Sequence, residues 1–272
     1  MSISRATSRS PLLWNSLAVA RWSLTCVAAT VLSAGVASAA ASPDELQATP
    51  YRPTVSNPAD LPVPHHFEWE AGGYAGRDPG EARHVSVPYL LKYAFTDDFG
   101  LLIGGESYVV DRSSGDTARG WGDTSVTMKF HHTVAESTGI GLEATVALPT
   151  ASHGLGAGET DYTLNGIVST EVLQCAVDVN LGYTRLGRPD PGTSRDVVSW
   201  AVAASHDIAA KWGVAGEFSG INEGGAHGTA QFLSALTFSA TPTLVFDGGA
   251  LLGLNRDSTR YGVFTGVTML VR

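Results

Sequence analysis

The chain has 272 residues, 16% of them charged, 31 glycines and a formal net charge of −9. Acidic and with only three lysines, it is a poor match for a polyanion, so no nucleic-acid partner is expected. The composition suits a glycine-rich β protein and does not by itself separate a barrel from a sandwich.

Residues 1–39 read as a secretion signal. Arg5, Arg9 and Arg21 supply positive charge, an uncharged apolar stretch follows over 24–36, and Ala37-Ser38-Ala39 is an A-x-A cleavage site. That stretch is short of the ~20 apolar residues of a spanning helix. Cleavage removes three arginines and leaves Cys175 as the only cysteine, so no intrachain disulfide can form. Residues 40–64 are a tail with Pro43, Pro50, Pro53, Pro58, Pro62 and Pro64, a density that no sheet interior accepts. We read it as a periplasmic spacer, with a partial plug of the barrel mouth as the sharper alternative.

Residues 65–272 form one domain with twelve strand-like segments between Phe67 and Val271. The gaps between them alternate in length. Long gaps fall at 77–84, 112–122, 150–160, 186–195, 221–227 and 254–260; short ones fall near 96–100, 134–138, 172–174, 207–210 and 240–242. Sorting by parity is what an outer-membrane barrel shows, with short periplasmic turns and longer extracellular loops. The segments alternate as well. In 175–183 the residues Cys175, Val177, Val179, Leu181 and Tyr183 oppose Ala176, Asp178, Asn180 and Gly182; the segments 85–95, 123–132, 139–148 and 212–219 behave alike. Two segments alternate weakly, 101–110 and 261–271. The fold class expected is therefore all-β, a single antiparallel transmembrane β-barrel of about twelve strands in the cell outer membrane.

Trp69, Tyr93, Phe95, Trp121, Tyr183, Trp212, Phe238 and Tyr261 fit aromatic girdles at the membrane interfaces. Nine of the eleven arginines left after cleavage lie in or beside long gaps, and Arg112, Arg119, Arg188 and Arg195 are candidate contacts to lipopolysaccharide phosphates. If the apolar face meets lipid, the other lines a lumen. Its charged candidates are Glu68, Glu70, Lys92, Glu106, Lys129, Glu143, Asp178, Glu217 and Asp247. Seven acids against two lysines predict a wet lumen of negative potential that prefers cations, weakened by joint neutralisation of Asp178, Glu217 and Asp247. Twelve strands enclose a narrow passage.

No catalytic or metal site emerges, and no cofactor is expected. His84 with Ser86 and His227 with Thr229 share a face but lack an obvious orienting partner, which leaves lipid hydrolysis as the least favoured reading. His131 and His132 point to opposite faces. His65-His66 lies beside no acidic or cysteine cluster.

Several stretches carry a resemblance: 51–59 before Phe67-Glu68-Trp69-Glu70-Ala71-Gly72, Gly120-Trp121-Gly122-Asp123 ahead of Lys129, Ala147-Leu148-Pro149-Thr150, Asn180-Leu181-Gly182-Tyr183 and the terminal Phe264-Thr265-Gly266-Val267-Thr268. Together they resemble, over roughly 50–272, the outer-membrane transporter family labelled as phenol-degradation (meta-pathway) channel proteins. The resemblance implies a channel for passive passage of small solutes, aromatic or hydrophobic compounds among them. The alternative, from another class, is an envelope structural or surface-interaction barrel with an occluded lumen. Expected partners are outer-membrane lipids and lipopolysaccharide, the barrel-assembly machinery and a small-molecule solute. Such barrels usually end in an aromatic residue, whereas this chain ends Met269-Leu270-Val271-Arg272.

Overall fold

The computed structural model of the protein describes residues 46–113 and 115–271. The expected signal peptide, the first residues of the tail and the terminal Arg272 lie outside the described residues. Thirteen strands follow one another: β1 (Phe67–Arg77), β2 (Arg83–Ala94), β3 (Phe99–Ser113), β4 (Asp116–Gly120), β5 (Thr124–Ala135), β6 (Thr138–Leu148), β7 (Asp161–Val172), β8 (Cys175–Arg185), β9 (Asp196–Ala209), β10 (Trp212–Glu223), β11 (Thr229–Thr241), β12 (Leu244–Gly253) and β13 (Tyr261–Val271). Each pairs antiparallel with its chain neighbour, and β1 pairs with β13 from Phe67↔Val271 to Arg77↔Tyr261. β4 and β5 share one position beside β3, so the sheet closes as a 12-strand barrel. Closure leaves no edge within the ring, which is the condition for crossing lipid; β4, which pairs only with β3, keeps a free edge at the long-loop end.

The connections sort by end. At one end β6 follows β5 after residues 136–137, β8 follows β7 after 173–174, β10 follows β9 after 210–211, and β12 follows β11 after 242–243. Leu173 and Gln174 both take positive φ (52° and 65°), the backbone that a two-residue hairpin turn requires. Longer connections at 149–160, 186–195 and 254–260 mark the opposite end. The gap 112–122, expected as a loop, is instead a hairpin: β3 runs on to Ser113 and pairs with β4.

Both weakly alternating segments have a physical cause. In β3 the ladder slips where Val87 pairs with Tyr108 but Pro88 pairs with Glu106, leaving Ser107 as a bulge. Pro88 has no N–H to give the ladder, and bulges are where proline is tolerated inside a sheet. Before the bulge Leu102 and Glu106 are buried; after it Val109 and Asp111 are, so parity changes midway. In β13 the inward positions include Phe264 and Leu270, apolar because they cover apolar neighbours inside the barrel: Leu270 lies with Ala48 and Val245, and Phe264 with Leu233 and Leu251.

The outward face is an apolar band, with Met128, Leu142, Leu164, Leu181 and Phe218 exposed. Aromatic side chains border it at both ends. Phe67, Tyr93 and Phe95 cluster near the short turns, as do Trp212 and Phe238 with ring centroids 4.7 Å apart. Tyr108, Trp121, Tyr162, Tyr183 and Tyr261 are exposed toward the long loops. Among the described residues no helix is long and apolar enough to cross a membrane; the strands do the crossing.

Candidate functional site: a plugged lumen and its vestibule

The segment 46–64 runs inside the barrel. It starts at the short-turn end, where Ala48 N–H donates to Pro242 O (2.9 Å), and climbs past β1: Thr49 N–H donates to Glu68 Oε2 (2.9 Å) and Tyr51 N–H to Glu70 Oε1 (2.7 Å). Its tip reaches β10, where Glu217 Oε2 accepts from Val55 N–H (2.8 Å), Ser56 N–H (2.7 Å) and Ser56 Oγ (3.0 Å). It then descends on the other side of the lumen. Asn57 donates to Glu143 and exchanges hydrogen bonds with Asn180, and Ala59 N–H donates to Ser169 Oγ. The chain leaves at the short-turn end, where His65 N–H meets Ala94 O. Of the two roles open for the tail, the structure gives it the plug geometry.

Elementary accounting explains why the lumen is acidic. A proline-rich segment cannot pair in a sheet, yet its buried N–H groups must find acceptors. Carboxylates on inward strand positions supply them. The tail carbonyls need donors in turn, and both lumenal lysines answer: Lys92 Nζ donates to Thr49 O (2.6 Å) and Lys129 Nζ to Pro58 O (2.5 Å). Lys92 also lies 2.6 Å from Glu68 and Glu70, and Lys129 lies 3.1 Å from Glu143. Tyr51 is held by both ammonium groups, 3.9 and 4.0 Å from its ring centroid, and its hydroxyl donates to Asp60 O, tying the two limbs of the tail together. Arg52 makes a two-pronged ion pair with Asp247, 3.0 Å on each arm. Gly72 and Gly266, partners in the β1–β13 ladder, leave the slot for this guanidinium; a Cβ at Gly266 would collide with it.

Of the lumenal candidates read from sequence, Glu68, Glu70, Lys92, Lys129, Glu143, Glu217 and Asp247 thus contact the tail. Asp178 sits one step away, accepting from Ser169 Oγ (2.5 Å). Glu106 lies higher and holds His84 Nε2 at 3.1 Å, while Asp111 holds His84 Nδ1 at 2.5 Å. The orienting partner that sequence did not reveal for His84 is therefore Asp111, across the β2–β3 ladder. Two carboxylates engage both ring nitrogens, so neither is free to take a proton from Ser86. Sequence reasoning missed Arg52, Tyr51 and Asn57; the signal was polar, bond-forming side chains set among prolines.

Above the tip, Arg52, Pro53, Thr54 and Val55 floor a cavity of about 670 Å³ toward the long-loop end. One wall is largely apolar, from β1 and β9–β13: Tyr74, Val197, Ile221, Leu233, Leu251 and Phe264, interrupted by Ser199, Glu223 and Gln231. The facing wall is polar, from β6–β8: Glu143, Thr145, Thr163, Asn165, Asn180 and Thr184. Assigning every apolar residue to lipid hid the first wall from the sequence reading. At the rim, Asp78 accepts from Thr259 Oγ1 (2.6 Å); burial pushes its carboxyl up, and that hydrogen bond pulls it partly back.

The loop arginines divide. Arg188 pairs with Glu159, and Arg195 donates to the carbonyls of Leu186 and Gly187, so both brace their own loops. Arg112 and Arg119 are exposed on β3 and β4 and make no ion pair among the described residues.

Solved structures with the same architecture include the NanC porin (8% identity, TM-score 0.54, covering 75% of this chain and 98% of that one). The KdgM porin is similar (10% identity, TM-score 0.50, covering 76% and 99%). The CymD monoaromatic hydrocarbon channel aligns at 9% identity and TM-score 0.48, over 76% and 88%. At such identities the likeness concerns the fold. No curated protein matches the chain in sequence. The family model described as "Putative MetA-pathway of phenol degradation" matches residues 52–271, which include all thirteen strands and the plug tip, and the chain belongs to that family.

Proposed function

We propose that the protein is a passive outer-membrane channel for small solutes, with a vestibule open toward the cell exterior and the N-terminal tail as its stopper. The observation that carries this reading is the two-sided vestibule above a plugged lumen. Its volume, about 670 Å³, is that of a small-molecule site. An aromatic ring bearing a hydroxyl matches it: the ring against Leu233, Leu251 and Phe264, the hydroxyl toward Asn165 and Thr184. The family description, which names phenol degradation, agrees with that chemistry. The short-turn end, where the tail enters, would face the periplasm.

The filled lumen also favours the second reading, a barrel that serves the envelope without conducting. Planar-bilayer recordings of the full mature chain and of a form lacking 46–60 separate the two. The full chain is expected to conduct weakly and intermittently, and millimolar phenol to alter the current. The shortened form should conduct steadily and prefer cations, because the acids that held the tail then face water. Neutralising Asp178, Glu217 and Asp247 together should reduce that preference. Silence from both forms would remove the channel and leave the occluded barrel.

A further inference from the structure

The outer face of the barrel at its long-loop end carries a row of arginines that the protein neutralises only in part. Arg77 pairs in register with Arg83, and Arg83 with Arg112. Tyr261 extends the row on β13 and Thr117 on β4. Cross-strand partners share a face, and neighbours along a strand take opposite faces. His84 and Asp111 are buried and bonded to each other inside the barrel, so alternation turns the exposed Arg83 and Arg112 outward at the rim, where both also border the mouth of the vestibule. Arg119 pairs with Val110 and stands diagonal to Arg112, at about 7–8 Å by sheet geometry.

Like charges directly opposite each other destabilise a sheet unless something lies between them. Elsewhere at this rim arginines have carboxylates: Arg185 with Asp196, Arg188 with Glu159, Arg260 with Glu81. Among the described residues Arg83, Arg112 and Arg119 have none. Arg77 shares Glu81 with Arg260, and its Nε–H is buried without an acceptor. Below the row come Val85, Val87 and Tyr108, all exposed on the apolar band. The row therefore stands at the height where hydrocarbon gives way to headgroups.

We propose that Arg83, Arg112 and Arg119, with Arg77 beside them, bind the phosphates of a phosphorylated glycolipid of the outer leaflet. Guanidinium forks match phosphate oxygens in two-pronged fashion, and a multiply charged headgroup can lie between facing arginines where a single carboxylate side chain cannot reach. This rests on the outer-membrane placement proposed above. It refines the four arginines singled out from sequence, keeping Arg112 and Arg119, adding Arg83 and Arg77, and setting Arg188 and Arg195 aside as loop braces.

The test is retention of lipopolysaccharide by the purified, detergent-solubilised barrel, read by native mass spectrometry. Three proteins are compared: wild type, R83Q/R112Q/R119Q, and R185Q/R188Q/R260Q, which loses the same charge from paired sites. Wild type and the control should retain the glycolipid, and R83Q/R112Q/R119Q should bind it at least about tenfold more weakly, the equivalent of one lost charge-assisted contact. Phosphatase-treated lipopolysaccharide should bind all three alike. Equal retention by all three, or equal loss in the control, overturns the proposal. Inorganic phosphate binding wild type as tightly as the glycolipid does would identify a free-ion site and overturn the lipid assignment. If R83Q/R112Q/R119Q fails to fold, R112Q alone carries the comparison. Conductance recorded on the same samples reads the channel function separately: loss of current with lipid retained, or the reverse, shows which of the two readings has failed.

Discussion

At the scale of single residues, the interior of this barrel is organised around donors and acceptors on the tail. Glu217 is fully buried and receives three hydrogen bonds from Val55 and Ser56. Replacing it by Ala orphans the buried N–H of Ser56, at a cost of about 1–3 kcal/mol, and the partly buried N–H of Val55. The expected outcome of Glu217→Ala is faster amide exchange at Val55 and Ser56, by more than about tenfold, with strand amides unchanged; hydrogen–deuterium exchange measures it. Tyr51 offers a graded comparison. Tyr51→Phe keeps the ring between Lys92 and Lys129 and loses only the bond to Asp60 O, about 1 kcal/mol. Tyr51→Ala leaves two buried ammonium groups facing a void, so its fall in thermal midpoint should be clearly the larger of the two. These roles were half legible. The inward positions of Glu70, Lys92, Glu143 and Glu217 follow from alternation alone. Their engagement with the tail does not, because hydrogen-bond partners 19 to 162 positions apart leave no local pattern.

At the scale of elements, the alternation works wherever one face meets lipid and the other meets polar groups. It fails where either premise fails. β3 changes parity at Ser107 because Pro88 opposite cannot complete the ladder, and β13 carries Phe264 and Leu270 inward because they cover other apolar groups. β4 and β5 divide beside the same position: Gly122 N–H donates to Glu106 O between the two ladders. Deleting Ser107 would make the β2–β3 ladder continuous and leave every other pairing in place, so that Glu106, Val109 and Asp111 all stay inward on one alternation and Asp111 stays opposite His84. Such a variant is expected to keep the heat-modifiable mobility of a folded barrel on gels, as is Ser107→Ala, which removes only the Oγ bond to Val87 O.

For the whole molecule, barrel and plug are separable in kind. The barrel closes through backbone ladders that include no tail residue, and between its ends, which make single backbone bonds to Pro242 and Ala94, the tail is held by side chains. Removing 46–60 should therefore leave a closed barrel that still migrates as a folded species before heating. Its thermal midpoint should nevertheless be lower, since Lys92 and Lys129 lose carbonyl partners and Glu217 its donors. The tether keeps the plug near its seat at high effective concentration, so the plug can be held by modest bonds and still fill the lumen most of the time.

Sequence by itself determined the sheet type, the strand count, the parity of turns and loops, and which charges point inward, because each follows from period-two alternation and chain spacing. Only the tertiary structure decided that the tail lies inside, that inward acids serve its N–H groups, that one lumen wall is apolar, and that Arg83, Arg112 and Arg119 share an outer face. Those facts depend on ring closure and ladder register, which bring together positions far apart in the chain. No property of a single segment encodes them.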